Sequence, residues 1–201
     1  MVALGIGYVL VHRQDFGLAG PHLIGANDGL DSSETEQPAR PAAIVWQRVD
    51  RSSDGFKVEM PTDAKQIQIP AYNESGGADP VNMIFSNPDA ETTFSVAWAD
   101  NPPVARASGQ AVDRVLAMAR DGAVARTQTS LVNESATNLS GFPSREFSAR
   151  NSGGGVLNSR LVYVGPRLYM LSAAFPSAAA RRGKDVNRFF NSFTAAPAKK
   201  D

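Results

Sequence analysis

Polar and apolar residues alternate with period two along much of the middle of this 201-residue chain. Phe56, Val58 and Met60 interleave with Lys57 and Glu59 before Pro61 stops the run, and Ile67 and Ile69 repeat the pattern ahead of Pro70. Val81, Met83 and Phe85 alternate with Asn82 and Ser86, and Phe94, Val96 and Trp98 with Thr93, Ser95 and Ala97. Successive side chains of a strand point to opposite faces, so each run predicts a half-buried antiparallel strand. The period then changes. In SGQAVDRVLAMARDG, residues 108 to 122, Val112, Val115, Leu116 and Ala119 share one helical face; Ser108 suits the N-cap and Gly122 the C′ position. Strand character is expected again in AVARTQTSLV, residues 123 to 132, and in SREFSAR, residues 144 to 150. In KDVNRFFNSF, residues 184 to 193, Val186, Phe189, Phe190 and Phe193 lie on one helical face, which predicts a second helix docked on the sheet.

The glycine run NSGGG, residues 151 to 155, resembles a phosphate-binding loop until its context is considered. A phosphate loop opens a helix whose N-terminal amides complete the anion site. Here the run separates SREFSAR from VLNSRLVYV, two strand-like segments, and no helix signal follows Gly155. A hairpin loop is the simpler reading. A second hairpin is expected in LVYVGPRLYML, with Gly165 and Pro166 as the central pair of a type II′ turn.

Composition narrows the chemistry. Lysine plus arginine equal aspartate plus glutamate at 20 each, so no global field draws the protein to nucleic acid or an anionic membrane. The absence of cysteine excludes disulfides, thiolate nucleophiles and iron–sulfur clusters. The two histidines, His12 and His22, both precede the patterned region, which is left without the commonest general base and metal ligand. No G-x-S-x-G elbow is present, and the carboxylates from Asp54 to Asp100 do not follow the spaced loop that calcium requires. The residues therefore nominate no catalytic, cofactor-binding or metal-binding group.

The ends differ from the middle. Residues 1 to 25 contain the uncharged run VALGIGYVLV, which as a helix would rise about 15 Å against a bilayer core of roughly 30 Å. We read it as part of a membrane anchor or signal segment, the alternative being a buried strand or helix. Residues 26 to 43 have the polar, proline-containing composition of a tether, the folded domain is expected over 44 to 194, and residues 195 to 201 read as a frayed tail.

The order of strands, a helix, long hairpinned strands and a terminal helix comes with particular local patterns: GFKVEMP at 55 to 61, GFPSREF at 141 to 147, RLVYVGPRLYML at 160 to 171 and FFNSF at 189 to 193. Together these resemble bacterial envelope proteins with the fold of the photosystem II extrinsic subunit PsbP, which is shared with a Ran-binding nuclear-transport factor. The resemblance covers roughly residues 44 to 194. It implies an α+β protein, an antiparallel sheet flanked by helices in an α/β/α-like sandwich, used across the superfamily mainly for docking. It carries over no catalytic residue and no cofactor. Pro166 departs from the polar turn residue of the relatives.

The expectation is a non-enzymatic, extracytoplasmic or membrane-tethered domain that binds a protein partner in the cell envelope and no nucleic acid. Arg145, Arg160 and Arg167, with Tyr163 and Tyr169, cluster around the two hairpins and are the candidate partner-binding residues. A cross-strand ion-pair lattice with Glu146 explains the arginines without function. Trp46 is a candidate exposed anchor. A second reading is a small-molecule carrier, its apolar pocket between sheet and helix lined by Trp98, Leu116 and Tyr169.

Overall fold

The four period-two runs that precede the first helix all become strands in the computed structural model, which describes residues 43–72, 78–100, 112–178 and 183–196. β1 (Trp46–Arg51) leads through a single 3-10 turn into β2 (Phe56–Pro61), β3 (Lys65–Tyr72), β4 (Ala78–Ser86) and β5 (Thr93–Asp100). After α1 (Val112–Arg126) come β6 (Ser130–Leu139), β7 (Phe142–Arg150), β8 (Val156–Val164) and β9 (Arg167–Phe175), then α2 (Gly183–Ser192) and β10 (Thr194–Ala195). Among the described residues one sheet has seven strands in the order β3-β4-β5-β9-β8-β7-β6, and a smaller one has the order β1-β2-β10. Every pairing is antiparallel, so the chain is of the α+β class.

Two cores lie on opposite faces of the large sheet. On one, Met83, Ala97, Leu161, Leu168 and Met170 meet Val115, Leu116, Ala119 and Ala123 of α1. On the other, Val96, Trp98, Tyr169 and Leu171 meet Phe56 and Met60 of β2 and Phe189 and Phe190 of α2. The second layer is therefore mixed, a small sheet beside a helix. β5 and β9 are buried on both faces, where small residues fill alternate positions; Ser159 and Ser172, both buried, satisfy each other at 2.9 Å.

Two local expectations are corrected. α1 does not stop at Gly122, which is buried inside it, and residues 123 to 126 are helical rather than strand. Ala123 extends the apolar face begun by Leu116 and Ala119, and the helix ends where Gln128 takes the left-handed conformation at φ 52. There the Thr129 N–H reaches the Val124 carbonyl at 3.1 Å and the Gln128 N–H reaches Ala125 at 3.3 Å, the two bonds of a Schellman motif. Pro70 does not end β3, which continues to Tyr72 on the sheet edge, where a missing N–H is tolerated. Residues 151 to 155 form the β7–β8 loop, with the Gly155 N–H donating to Asn151 Oδ1 at 2.7 Å and no helix behind it. Gly165 has φ 60, and Pro166 after it restricts the β8–β9 turn to type II′. At the C-terminus β10 pairs with β2. The expected anchor, most of the tether, the Ser108 cap and residues 197 to 201 lie outside the described residues.

Candidate functional site

The five nominated residues do not form one patch. Arg145 and Tyr163 share the face that α1 covers, since Phe147 and Leu161, at matching positions of their strands, belong to that core. Arg160, Arg167 and Tyr169 lie on the other face. Each arginine already has partners within the chain. Arg145 is 9% exposed and pairs with Glu134 of β6 and Asp113 of α1, while Arg120 of α1 takes the other oxygen of Glu134. Arg160 donates through Nε to Glu146 at 2.8 Å and through Nη1 to the Phe190 carbonyl at 2.6 Å, and its guanidinium lies 5.1 Å over the Phe190 ring. Arg167 grips both oxygens of Asp100 at 2.6 Å and also donates to the Asp54 carbonyl, which accepts the Tyr169 hydroxyl at 2.7 Å. These arginines tie α1, α2 and the β1–β2 turn to the large sheet. Tyr169 is fully buried, and Tyr163 packs half-buried against the α1 core.

The Arg167 hydrogen bonds hold the Asp100 carboxyl below its ordinary value, and Asp100 in turn raises the guanidinium. Burial pushes the Tyr169 hydroxyl up. An unfolded aspartate titrates near about 3.9 and folded Asp100 below it, so this pair stabilises fully above that pH and weakens as pH falls through the folded value. Asp100→Asn is expected to lower stability slightly at neutral pH and to flatten the acid limb of the stability curve below about pH 4. Thermal melts across that range check this; an acid limb parallel to that of the parent protein would refute it.

The carrier pocket expected between sheet and helix is not formed by the residues named for it. Leu116 belongs to the core under α1, whereas Trp98 and Tyr169 lie across the sheet, where Phe56 fills the space at ring separations of 5.1 and 5.7 Å. Trp46 begins β1 half-buried, with its ring edge on Phe94 at 5.5 Å and the Arg188 guanidinium 4.9 Å above it. Among the described residues no cluster of histidine, cysteine or carboxylate side chains could hold a metal, and no helix is long and apolar enough to cross a membrane.

The two edges of the large sheet differ. β3 carries Lys65 and Pro70, residue types that blunt an edge against further pairing. β6 carries no lysine, arginine or proline, and Ser130 through Asn138 are all exposed, with Leu131 at 42% and Val132 at 59%. Its one charged residue, Glu134, is held by Arg120 and Arg145. The Ser140–Gly141 turn has φ 51 and 93, as a type I′ hairpin requires, so Leu139 and Phe142 exchange hydrogen bonds. Counting back from Leu139 leaves the main-chain groups of Asn138, Ala136 and Glu134 directed away from β7. Of β6 the sequence reading reached only Ser130 to Val132, at the end of the run expected over 123 to 132, because an exposed strand has no face to bury. The signal that could have revealed the rest was Ser140-Gly141 ahead of FPSREF, a turn dipeptide opening a strand.

No family model and no curated protein matches the sequence. Solved structures do. A cyanobacterial PsbP (CyanoP) from Synechocystis aligns over 78% of this chain and 95% of its own length, with TM-score 0.51 and 12% identity. A protein of unknown function from Pseudomonas aeruginosa gives TM-score 0.36 at 14% identity, covering 69% of this chain and 86% of its own. A protein from Bacteroides thetaiotaomicron gives 0.39 at 12% identity, covering 74% and 47%. The first likeness supports the PsbP-like fold and says nothing of activity; the other two carry no argument.

Proposed function

We propose that this chain is a non-enzymatic docking domain that takes an extended segment of a protein partner as an added strand along β6. What supports this is the contrast between the edges: β3 is blunted by Lys65 and Pro70, while β6 offers an exposed ladder with its only charge neutralised. Strand addition draws affinity from main-chain hydrogen bonds and specificity from alternate side chains, for which Leu131 and Val132 are the apolar contacts. We place the domain at the cell envelope, tethered through the apolar segment at 2 to 11 and the polar stretch at 26 to 43. A tagged chain produced with its native upstream codons intact and recovered in the soluble cytoplasm would refute that placement.

The docking reading is tested with a photoreactive residue at Val132 of β6 or at Gln68 of β3, irradiated in producing cells. Adducts are expected from Val132 and not from Gln68. Ala136→Pro removes an outward N–H at a place where an edge strand accepts proline. It is expected to reduce the Val132 adducts about tenfold, roughly 1.4 kcal/mol, the order of one or two lost main-chain hydrogen bonds. Adducts from neither position, equal adducts from both, or adducts that survive Ala136→Pro would overturn the reading.

A further inference from the structure

Beside β6, on the face away from α1, a groove of about 280 Å³ runs between α2 and strands β6 to β8. Its floor is polar across three adjacent strands, with Asn133 from β6, Glu146 and Ser148 from β7 and Asn158 from β8; Asn187 and Phe190 of α2 form a wall. Asn158 is 6% exposed, and its Nδ2 donates to no acceptor of the protein. Buried polar groups are normally satisfied, and one left without a partner at the lining of a groove marks a place for a ligand acceptor.

The other groups define the ligand. Asn133 Oδ1 accepts from Ser148, through N–H at 3.1 Å and Oγ at 2.6 Å, which fixes the amide and leaves its Nδ2 to donate. Arg160 engages only Oε1 of Glu146, at 2.8 Å from Nε and 2.6 Å from the terminal nitrogen, so Oε2 is left to accept. An anion would meet the Glu146 carboxylate, and a cation would meet the guanidinium already paired with it. What fits is an uncharged molecule whose groups donate and accept together, as hydroxyls do. The volume lies just below the roughly 300 Å³ where drug-sized sites begin. We infer that this groove binds a small uncharged polyhydroxyl ligand of monosaccharide size, with Asn158 and Asn133 donating to it and Glu146 accepting from it. This inference is independent of strand addition along β6.

The test is a ¹H–¹⁵N titration of the full chain with D-glucose, glycerol and inorganic phosphate, each to about 100 mM, since a ligand this small in an open groove binds in the millimolar range. Saturable shifts with glucose are expected at the side-chain amides of Asn133, Asn158 and Asn187, with weaker shifts from glycerol and none from phosphate. Asn158→Leu is expected to weaken glucose at least tenfold. Asn158→Ser, which keeps a hydroxyl donor, is expected to retain part of the binding and covers the case in which the leucine variant does not fold. Absence of saturable glucose shifts, shifts unchanged in the folded Asn158 variants, or an equal response to phosphate would overturn the inference.

Discussion

Phe94→Ala is expected to lower the free energy of unfolding by about 3 to 5 kcal/mol, a third or more of the roughly 5 to 15 kcal/mol that a domain possesses. Phe94 sits on β5 with none of its surface exposed, at the place where the second layer meets the large sheet. Its ring meets Trp46 of β1 at 5.5 Å, Phe189 of α2 at 5.3 Å and Phe175 of β9 at 6.0 Å, all edge-on. Truncation removes the transfer energy of the ring, three aromatic contacts worth about 0.5 to 1.5 kcal/mol each, and leaves a cavity that strands on both sides prevent from closing. Two comparisons isolate the cause. Phe94→Leu retains most of the burial and should cost about half as much, and Met118→Ala, at a residue 39% exposed, should stay within about 0.5 kcal/mol. Urea unfolding with an unchanged slope reads all three; a cost below about 1 kcal/mol for Phe94→Ala would mean that the second layer is not locked by this ring.

The same residue shows what the sequence could disclose. Phe94, Val96 and Trp98 alternate in register, which identifies a strand and its large-residue face. The opposite face of β5, with Ser95 and Ala97, is also buried, because alanine and serine fill the space under α1 without a hydrophobic run to announce them. Pattern therefore located most of the strands that bury a face; it missed β1, reached only Ser130 to Val132 of the exposed β6, and missed β10, whose two residues are too short to carry a period. Gly122 suggested a helix end from its residue type alone, while the burial of Ala123 beneath the sheet carried the helix onward. The candidate site was harder still. Closeness in sequence grouped Arg145, Arg160 and Arg167, but which face each occupies depends on strand register, and only pairing fixes that Glu146 lies opposite Arg160. A buried amide such as Asn158, or an edge left open, follows from the assembled sheet and from no local pattern.

Gly55→Val is expected to be the most damaging change outside the cores, at about 2 to 5 kcal/mol: roughly 1 to 2 for a side chain in the left-handed region and 1 to 3 for crowding. Gly55 follows the 3-10 turn at φ 77, and a Cβ placed there would lie 2.8 Å from the Tyr169 hydroxyl and 2.9 Å from the Ala196 carbonyl oxygen. Neither neighbour is free to give way. The hydroxyl donates to the Asp54 carbonyl, and Ala196 donates its own N–H to the Gly55 carbonyl at 2.9 Å, beside the pairing of β10 with β2. Backbone strain and close approach make different demands, so they can be separated. Asparagine tolerates positive φ; if strain dominates, Gly55→Asn should fall well short of Gly55→Ala, and if crowding dominates the two should match. Tyr169→Phe removes the hydroxyl oxygen and with it the nearer of the two contacts, while the Ala196 carbonyl remains. The cost of Gly55→Ala should accordingly drop by about 0.5 to 3 kcal/mol in the Tyr169→Phe background, the range expected for coupled neighbours. Strict additivity in that double-mutant cycle would show that the approach of Tyr169 to Gly55 contributes nothing, and the penalty at this turn would then belong to φ and to β10 alone.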